Sequence, residues 1–257
     1  MKKSLILFLT LIFLTPSLVF SGVFTFKAGL FIPRAKSDLW KTEFENMSFS
    51  KTNYQTTNFG FSYEYFLTRE MSLAISVDSY TKNKSGNYKD YVGISFVDGD
   101  FAFPNDYEGE FIPYHSFNVS ITPIQVSLKL TPLGRRGKLI PYLGGGAGLY
   151  LWSVRIYGDL IDFSDEWLFY DPDLDADISV FPVELVDARE NNRLTIGYHA
   201  FVGIMFPVAR RITFEAEFKY NIVKGNFRTD PERIAFEGFE RFDLSGYQIS
   251  LGLNYWF

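Results

Sequence analysis

Residues 247–257, Y-Q-I-S-L-G-L-N-Y-W-F, alternate apolar and polar side chains with a period of two. Tyr247, Ile249, Leu251, Leu253, Tyr255 and Phe257 are apolar, Gln248, Ser250, Gly252 and Asn254 are polar or small, and only Trp256 breaks the rule. Successive side chains of a strand point to opposite faces, so this segment has one greasy face and one wet face. The alternation recurs at 23–32, 57–66, 71–80, 116–130, 140–156, 193–206 and 211–220. Each segment has roughly the ~9–11 residues, or a few more, that a tilted strand needs to cross a bilayer.

Two segments complicate the pattern. In 116–130 the apolar phase is odd at Phe117, Val119 and Ile121, then even at Ile124, Val126, Leu128 and Leu130. The slip falls at Pro123, which has no N–H for a ladder, so a β-bulge is expected there. In 140–156, Leu143, Ala147, Leu149 and Leu151 would face outward with Gly144, Gly146 and Gly148 inward. Tyr142, Tyr150 and Trp152 share the glycine parity, which leaves that phase open.

The connections alternate in length: 67–70, 131–138 and 207–210 are short, whereas 33–56, 81–115, 157–192 and 221–245 are long. Short–long alternation between antiparallel segments predicts an all-β fold, a closed up-and-down transmembrane β-barrel of eight strands with both chain ends on the short-turn side. Asp98-Gly99 inside the second long connection is a hairpin signal. Either two wall strands run on above the membrane or the barrel has ten strands.

Met1-Lys2-Lys3 is basic, residues 4–20 are uncharged and mostly apolar with Pro16 near their end, and Ser21 and Gly22 are small. This is the pattern of a secretory signal peptide, giving a leader at 1–21 and a barrel domain at 22–257. A retained helical anchor is the alternative, and the run is short for one. With no cysteine the chain has no disulfide framework and no lipoprotein anchor. Aromatic residues make up 19% of the chain, an excess that girdles at two membrane interfaces would absorb. A net charge of −5 argues against nucleic acid as a partner.

The stretches K-A-G-L-F-I-P at 27–33, I-T-P-I at 121–124, P-Y-L-G-G-G-A-G at 141–148, G-Y-H-A at 197–200 and F-E-A-E at 214–217 carry a family likeness. Together they resemble the OmpA/OmpX/OmpW-like superfamily of small outer-membrane β-barrel proteins. Ser250, Gly252, Tyr255 and Phe257 stand where the assembly signal of such barrels has its polar residue, glycine and two aromatics. The resemblance implies a multi-pass barrel in the bacterial outer membrane with both termini periplasmic. It implies outer-membrane lipid and lipopolysaccharide as surroundings, and the barrel-assembly machinery as a partner during biogenesis.

Charged residues on the wet faces are the first candidate site: Lys27, Lys129 and Lys219 with Glu64, Asp78, Glu215 and Glu217. An eight-stranded barrel is just wide enough for side chains to fill, and unpaired buried charge is costly. These residues are expected to pair in the lumen, either as a plug or as the lining of a narrow path. His115 and His199 are the only histidines. Barrel enzymes of similar size, the lipid A palmitoyltransferase and deacylase, use His with Ser. Here the candidates are His115-Ser116 and Asp78-Ser79, but the deacylase's His-x-Ser spacing is absent. No catalytic residue and no enzyme activity are therefore expected, and His199 is expected in the lumen network.

The 157–192 connection is acidic, and Asp173, Asp175, Asp177 and Glu184 have a weak likeness to a Ca²⁺ loop, with Ile178 where the sharp turn needs Gly. The expectation is a solvated loop without metal or cofactor; divalent ions bridging it to lipopolysaccharide are the alternative. Arg135, Arg136 and Lys138 read as a wet periplasmic turn. Trp40, Phe44, Trp167, Phe169 and Tyr170 would either meet an external partner or pack on one another. The expected function is structural or surface-interacting, with a plugged lumen and long external loops. A small passive channel for ions or hydrophobic molecules is the alternative, and a lipid A-modifying barrel enzyme the second.

Overall fold

The computed structural model describes residues 22–171, 175–228, 236 and 238–257. The leader expected at 1–21 and the candidate Asp173 lie outside these. Among the described residues thirteen strands run in chain order: β1 (Gly22–Pro33), β2 (Thr56–Phe66), β3 (Met71–Asn87), β4 (Tyr91–Phe96), β5 (Gly99–Pro104), β6 (Tyr114–Leu130), β7 (Ile140–Ile161), β8 (Trp167–Asp171), β9 (Ala176–Ala209), β10 (Ile212–Ile222), β11 (Lys224–Gly225), β12 (Phe242–Asp243) and β13 (Gly246–Trp256). Helix α1 (Asp38–Asn46) and a 3-10 turn (Lys51–Tyr54) interrupt the first long connection.

Eight of these strands close a ring in the order β1-β2-β3-β6-β7-β9-β10-β13, each antiparallel to its neighbours. β13 returns to β1 along its whole length, from Val23↔Trp256 to Pro33↔Gly246. Closure leaves the ring without an unpaired edge. The Asp98-Gly99 hairpin exists as β4–β5, but it stands outside the ring and joins the far end of β9 through Asp100↔Val183, Phe101↔Pro182 and Ala102↔Phe181. The wall therefore has eight strands and not ten.

No bulge occurs at Pro123. The pairing of β6 with β7 runs without a shift from His115↔Gly158 through Pro123↔Tyr150 to Leu130↔Leu143. Odd residues of β6 point inward throughout; what changes at Pro123 is the environment on each side of the wall. Below it the inward residues are Gln125, Ser127 and Lys129 and the outward ones Ile124, Val126, Leu128 and Leu130. Above it Phe117, Val119 and Ile121 are buried inside, while Ser116, Asn118, Ser120 and Thr122 lie outside. β3 changes at the same level, with Leu73, Ile75 and Val77 outward below and Ser79, Thr81 and Asn83 outward above.

The barrel thus has two storeys with opposite solvent logic. The lower has a greasy exterior and a polar interior, as a wall in lipid requires; the upper has a polar exterior and an apolar core, as a barrel in water requires. From Tyr247 to Phe257 the outward face of the last strand is continuously apolar. Ten residue steps are about 34 Å of strand, or about 25 Å of height at a tilt near 40°, the thickness of the apolar band of an outer-membrane barrel. Tyr63, Tyr65, Tyr255 and Phe257 edge it on the short-turn side, and Tyr198, Tyr220 and Tyr247 on the other. No helix among the described residues is long and apolar enough to cross a membrane, and the strands carry this band.

Most described residues of 157–192 are strand and not loop. β7 continues to Ile161 and β9 starts at Ala176, so the hairpin rises far above the ring. A bulge does occur in β9, where the register with β7 shifts between Trp152 and Val154 and Asn192 takes a positive φ of 53°; a second shift, between β9 and β10, falls at Ile212 and Thr213 beside the short turn. The shift changes which β9 residues face inward where the upper storey begins: Arg193, Thr195 and Gly197 below it, Glu190 above. In β7, Tyr142, Tyr150 and Trp152 point inward with the glycines, which settles its phase.

Candidate functional site

The lower lumen holds the seven charged residues singled out in the sequence. Lys27 Nζ lies 2.9 Å from Glu217 Oε2 and 3.1 Å from Glu215 Oε1. Lys129 Nζ lies 2.8 Å from Glu64 Oε2 and 3.9 Å from Glu215 Oε2. Lys219 Nζ lies 2.8 Å from Asp78 Oδ2. Inward positions on β1, β2, β3, β6 and β10 supply these groups; Lys27 pairs across the sheet with Gly60 and Gly252, and Gly60 with Asp78. A Cβ on Gly60 would strike the Asp78 carboxylate and one on Gly252 the Glu215 side chain, so these glycines make room for the network.

Three lysines face four carboxylates, and the turn at the lower end supplies a fourth cation. Arg135 Nη2 stands 4.0 Å from Glu64 Oε1, its guanidinium lies 4.2 Å from the Phe66 ring centre, and Nη1 donates to the carbonyls of Thr68 and Arg69 at 2.7 and 2.6 Å. Arg135 is more than a marker of a wet turn: it closes the bottom of the lumen.

Neutral polar groups knit the rest. Lys219 Nζ donates to Gln125 Oε1 at 3.0 Å, Gln125 Nε2 donates to Asn221 Oδ1 at 2.8 Å, and Tyr150 Oη donates to the same oxygen at 3.0 Å. Tyr142 Oη donates to Glu217 Oε2 at 3.1 Å, and Ser72 Oγ to Glu64 Oε1 at 2.5 Å. Tyr142 and Tyr150 escape a sequence reading because an inward tyrosine on a glycine row looks like an outward aromatic in register error. Two interior cavities between these side chains measure about 10 and 20 Å³, room for about a water molecule each.

His199 sits in this storey, with Nε2 2.7 Å from Ser127 Oγ, while its Nδ1 has no partner among the described residues. A base that activates a serine needs a group to orient it, and none meets Nδ1 here. His115-Ser116 do not act together, because neighbours on a strand face opposite ways: His115 is buried inside, and Ser116 Oγ donates to the Tyr157 carbonyl at 3.2 Å. Asp78 and Ser79 part in the same manner, one inside and one outside.

The first long connection folds back into the mouth of the upper storey. Leu39, Trp40 and Glu43 form the buried stripe of α1. The Trp40 ring meets Tyr54 and Phe117 edge-on at 4.9 and 5.0 Å and stacks on Phe242 at 5.3 Å; its Nε1 donates to the Asp243 carbonyl at 2.9 Å. His115 Nε2 faces Glu43 Oε2 at 2.9 Å and its Nδ1 faces the Asp159 carbonyl at 3.2 Å, fastening the helix to the wall. Burial pushes the Tyr54 and Tyr88 hydroxyls far above the usual phenol range, so both stay protonated; Tyr54 Oη donates to the Phe117 carbonyl and Tyr88 Oη accepts from the Ile161 N–H. Trp40 and Phe44 therefore pack within the molecule, whereas Trp167, Phe169 and Tyr170 remain exposed.

Of the acidic candidates, Asp175 accepts from Tyr170 Oη at 2.7 Å. Asp177 and Glu184 lie on one extended strand, pairing with Tyr170 and Leu160, and seven residue steps separate them by about 23 Å. No cluster of three metal-type side chains occurs among the described residues. Ser250 and Gly252 point into the lumen, and Tyr255 and Phe257 point out.

No protein-family model matches the chain. No curated protein matches it in sequence. Solved structures do. Neisserial surface protein A is 16% identical, with 92% of this chain and 96% of that one covered and a TM-score of 0.44. Ail, the attachment invasion locus protein of Yersinia pestis, is 12% identical over 92% and 99%, with a TM-score of 0.42. The outer membrane protein OprG from Pseudomonas aeruginosa is 12% identical over 93% and 97%, with a TM-score of 0.47. The chain is similar to small outer-membrane β-barrels of known structure.

Proposed function

We propose that this chain is an integral outer-membrane β-barrel protein that acts as a non-catalytic surface-interaction module, with a closed lumen and a working end built from its long hairpins. One observation carries the reading: at the level of Pro123 both faces of the wall exchange character, greasy outside and polar inside below, the reverse above. Only the lower storey suits lipid, so the upper storey and the hairpins beyond it stand in water. The short turns and both described chain ends lie at the opposite end, which becomes the periplasmic side, and lipopolysaccharide surrounds the outer half of the band. The last strand, with Ser250, Gly252, Tyr255 and Phe257, would be what the barrel-assembly machinery reads.

The ion-paired lower lumen and the aromatic plug around Trp40 argue against a passive path. Planar-bilayer recording on refolded protein tests this: the expected trace stays at baseline, and a steady open level would establish the channel reading instead. Protease added to intact cells tests the orientation. Cleavage within the β8–β9 hairpin is expected; cleavage at the 131–138 turn would reverse the assignment.

A further inference from the structure

The outermost part of the molecule is a four-stranded sheet, β4-β5-β9-β8, and its two faces differ. One face rests on the barrel extension through Ala102 and Phe181, both buried, with Phe181 edge-on to Tyr91 at 5.9 Å and to Phe163 at 5.4 Å. The other face is uncovered. It is a groove of about 570 Å³, with Phe103 and Ile178 buried in its floor and Phe96, Phe101, Trp167 and Phe169 along its sides. Phe96, Trp167 and Phe169 are each more than half exposed. An aromatic groove of this size is in the range that binds ligands, and a monomer exposing it to water without a partner is unusual.

The segments that build the sheet carry charge of one sign only. Residues 90–110 contain six carboxylates and residues 156–188 contain ten, and neither stretch has a Lys, Arg or His. Asp98 and Glu108 line the groove itself. Among the described residues, Asp187 is the one of these sixteen that forms an ion pair, with Arg155 and Arg189. The field over the sheet is therefore negative and uncompensated, and it attracts and concentrates cations.

We infer that this groove binds a cationic amphipathic polypeptide segment, apolar side chains seated against Phe96, Trp167 and Phe169 and basic side chains answering Asp98, Glu108 and the carboxylates beyond them. Charge complementarity selects the occupant. A single small cation neutralises one or two of the carboxylates, whereas a chain carrying several lysines or arginines meets many at once. Membrane lipid is the wrong occupant on geometry, since Ile161 lies ten steps beyond Leu151, the last lipid-facing residue of β7, which is about 33 Å along the strand and about 25 Å of height at a tilt near 40°. A surface held that far from the bilayer is covered from the water. The inference rests on the surface-interaction reading above and names the partner's chemistry.

The test uses the full protein in phosphatidylcholine nanodiscs, with empty discs as blank and a fluorescent twelve-residue peptide of alternating leucine and lysine as probe. Saturable anisotropy above the blank is expected, falling as salt rises. The Trp167→Ser/Phe169→Ser variant should bind at least tenfold more weakly. Asp98→Asn/Glu108→Gln should weaken binding several-fold and flatten the salt dependence. The leucine–glutamate analogue should not bind. No binding above the blank, unchanged binding by either variant, or equal binding of the acidic analogue would each overturn the inference. So would displacement of the peptide by dodecyl maltoside monomers at equal apparent affinity, which would make the groove a lipid site. Unboiled gel mobility and bilayer recording report on the barrel reading separately, so failure of the peptide to bind leaves that reading intact.

Discussion

Tyr54 Oη donates to the backbone carbonyl of Phe117 at 2.9 Å, and the Tyr54 carbonyl accepts from Tyr80 Oη at the same distance. Through this relay the first long connection is bonded to two wall strands, β6 and β3, and becomes a fitted plug.

Removing the plug's largest side chain should loosen it without opening the wall. Trp40 is buried and packs on four rings, and deletion of such a side chain costs about 3–5 kcal/mol. Tyr54→Phe, which leaves the Phe117 carbonyl without its donor, should cost about 1–3 kcal/mol. Hydrogen exchange at 38–54 is expected to quicken in both variants, more in Trp40→Ala, while the unboiled protein keeps its folded gel mobility. Unchanged protection in Trp40→Ala would contradict the packing described.

The lumen charges make a separable prediction. Lys219→Met strands the Asp78 carboxylate in the interior, and loss of one partner of a buried pair costs about 3–5 kcal/mol. Lys219→Met/Asp78→Leu removes the stranded charge and should recover most of that loss. Urea unfolding followed by gel shift measures both; a double variant less stable than the single would mean that the pair is not the relevant unit.

The change of character at Pro123 can be read with one residue type at two heights on one strand. Arg at Val126, on the outward face of the lower storey, should destabilise by about 2–4 kcal/mol. Arg at Asn118, outward on the upper storey, meets water and should change stability by less than about 0.5 kcal/mol. Equal costs in lipid vesicles would move the membrane boundary above Asn118.

The upper hairpin supplies a pH signature. Arg155 donates two hydrogen bonds to Asp187, Nε to Oδ1 at 2.6 Å and Nη2 to Oδ2 at 3.0 Å, and this contact holds the Asp187 carboxyl below the usual aspartate value of 3.8. A depressed folded value means that the pair contributes above the ordinary carboxylate range and is lost as pH falls through the lowered midpoint. The hairpin should be indifferent to pH above roughly 5. Carboxyl-carbon NMR should place the Asp187 midpoint below 3.8, with Arg155→Gln returning it towards that value.

Alternation alone determined the strand-rich wall and, outside β7, which residues of the lower storey face inward, because a period of two in a half-buried strand admits one arrangement of faces; that the Asp98-Gly99 hairpin stays out of the ring, and which phase β7 takes, came from the strand pairing. Lys27, Glu64, Asp78, Lys129, Glu215, Glu217 and Lys219 were legible for the same reason: each is a charge on the wet phase of a membrane-length segment. The rest waited on tertiary structure. The phase change at Pro123 reads as a bulge when the chain is taken one strand at a time, yet the backbone keeps its parity and the solvent changes. Whether Trp40 plugs the mouth or Trp167 meets the outside depends on where each loop lands. Both are aromatics in polar loops, and only packing against Phe117 and Phe242, or its absence, tells them apart. Local pattern decides which way a side chain points; what it points into is fixed by parts of the chain far away in sequence, as Phe117 and Phe242 are from Trp40.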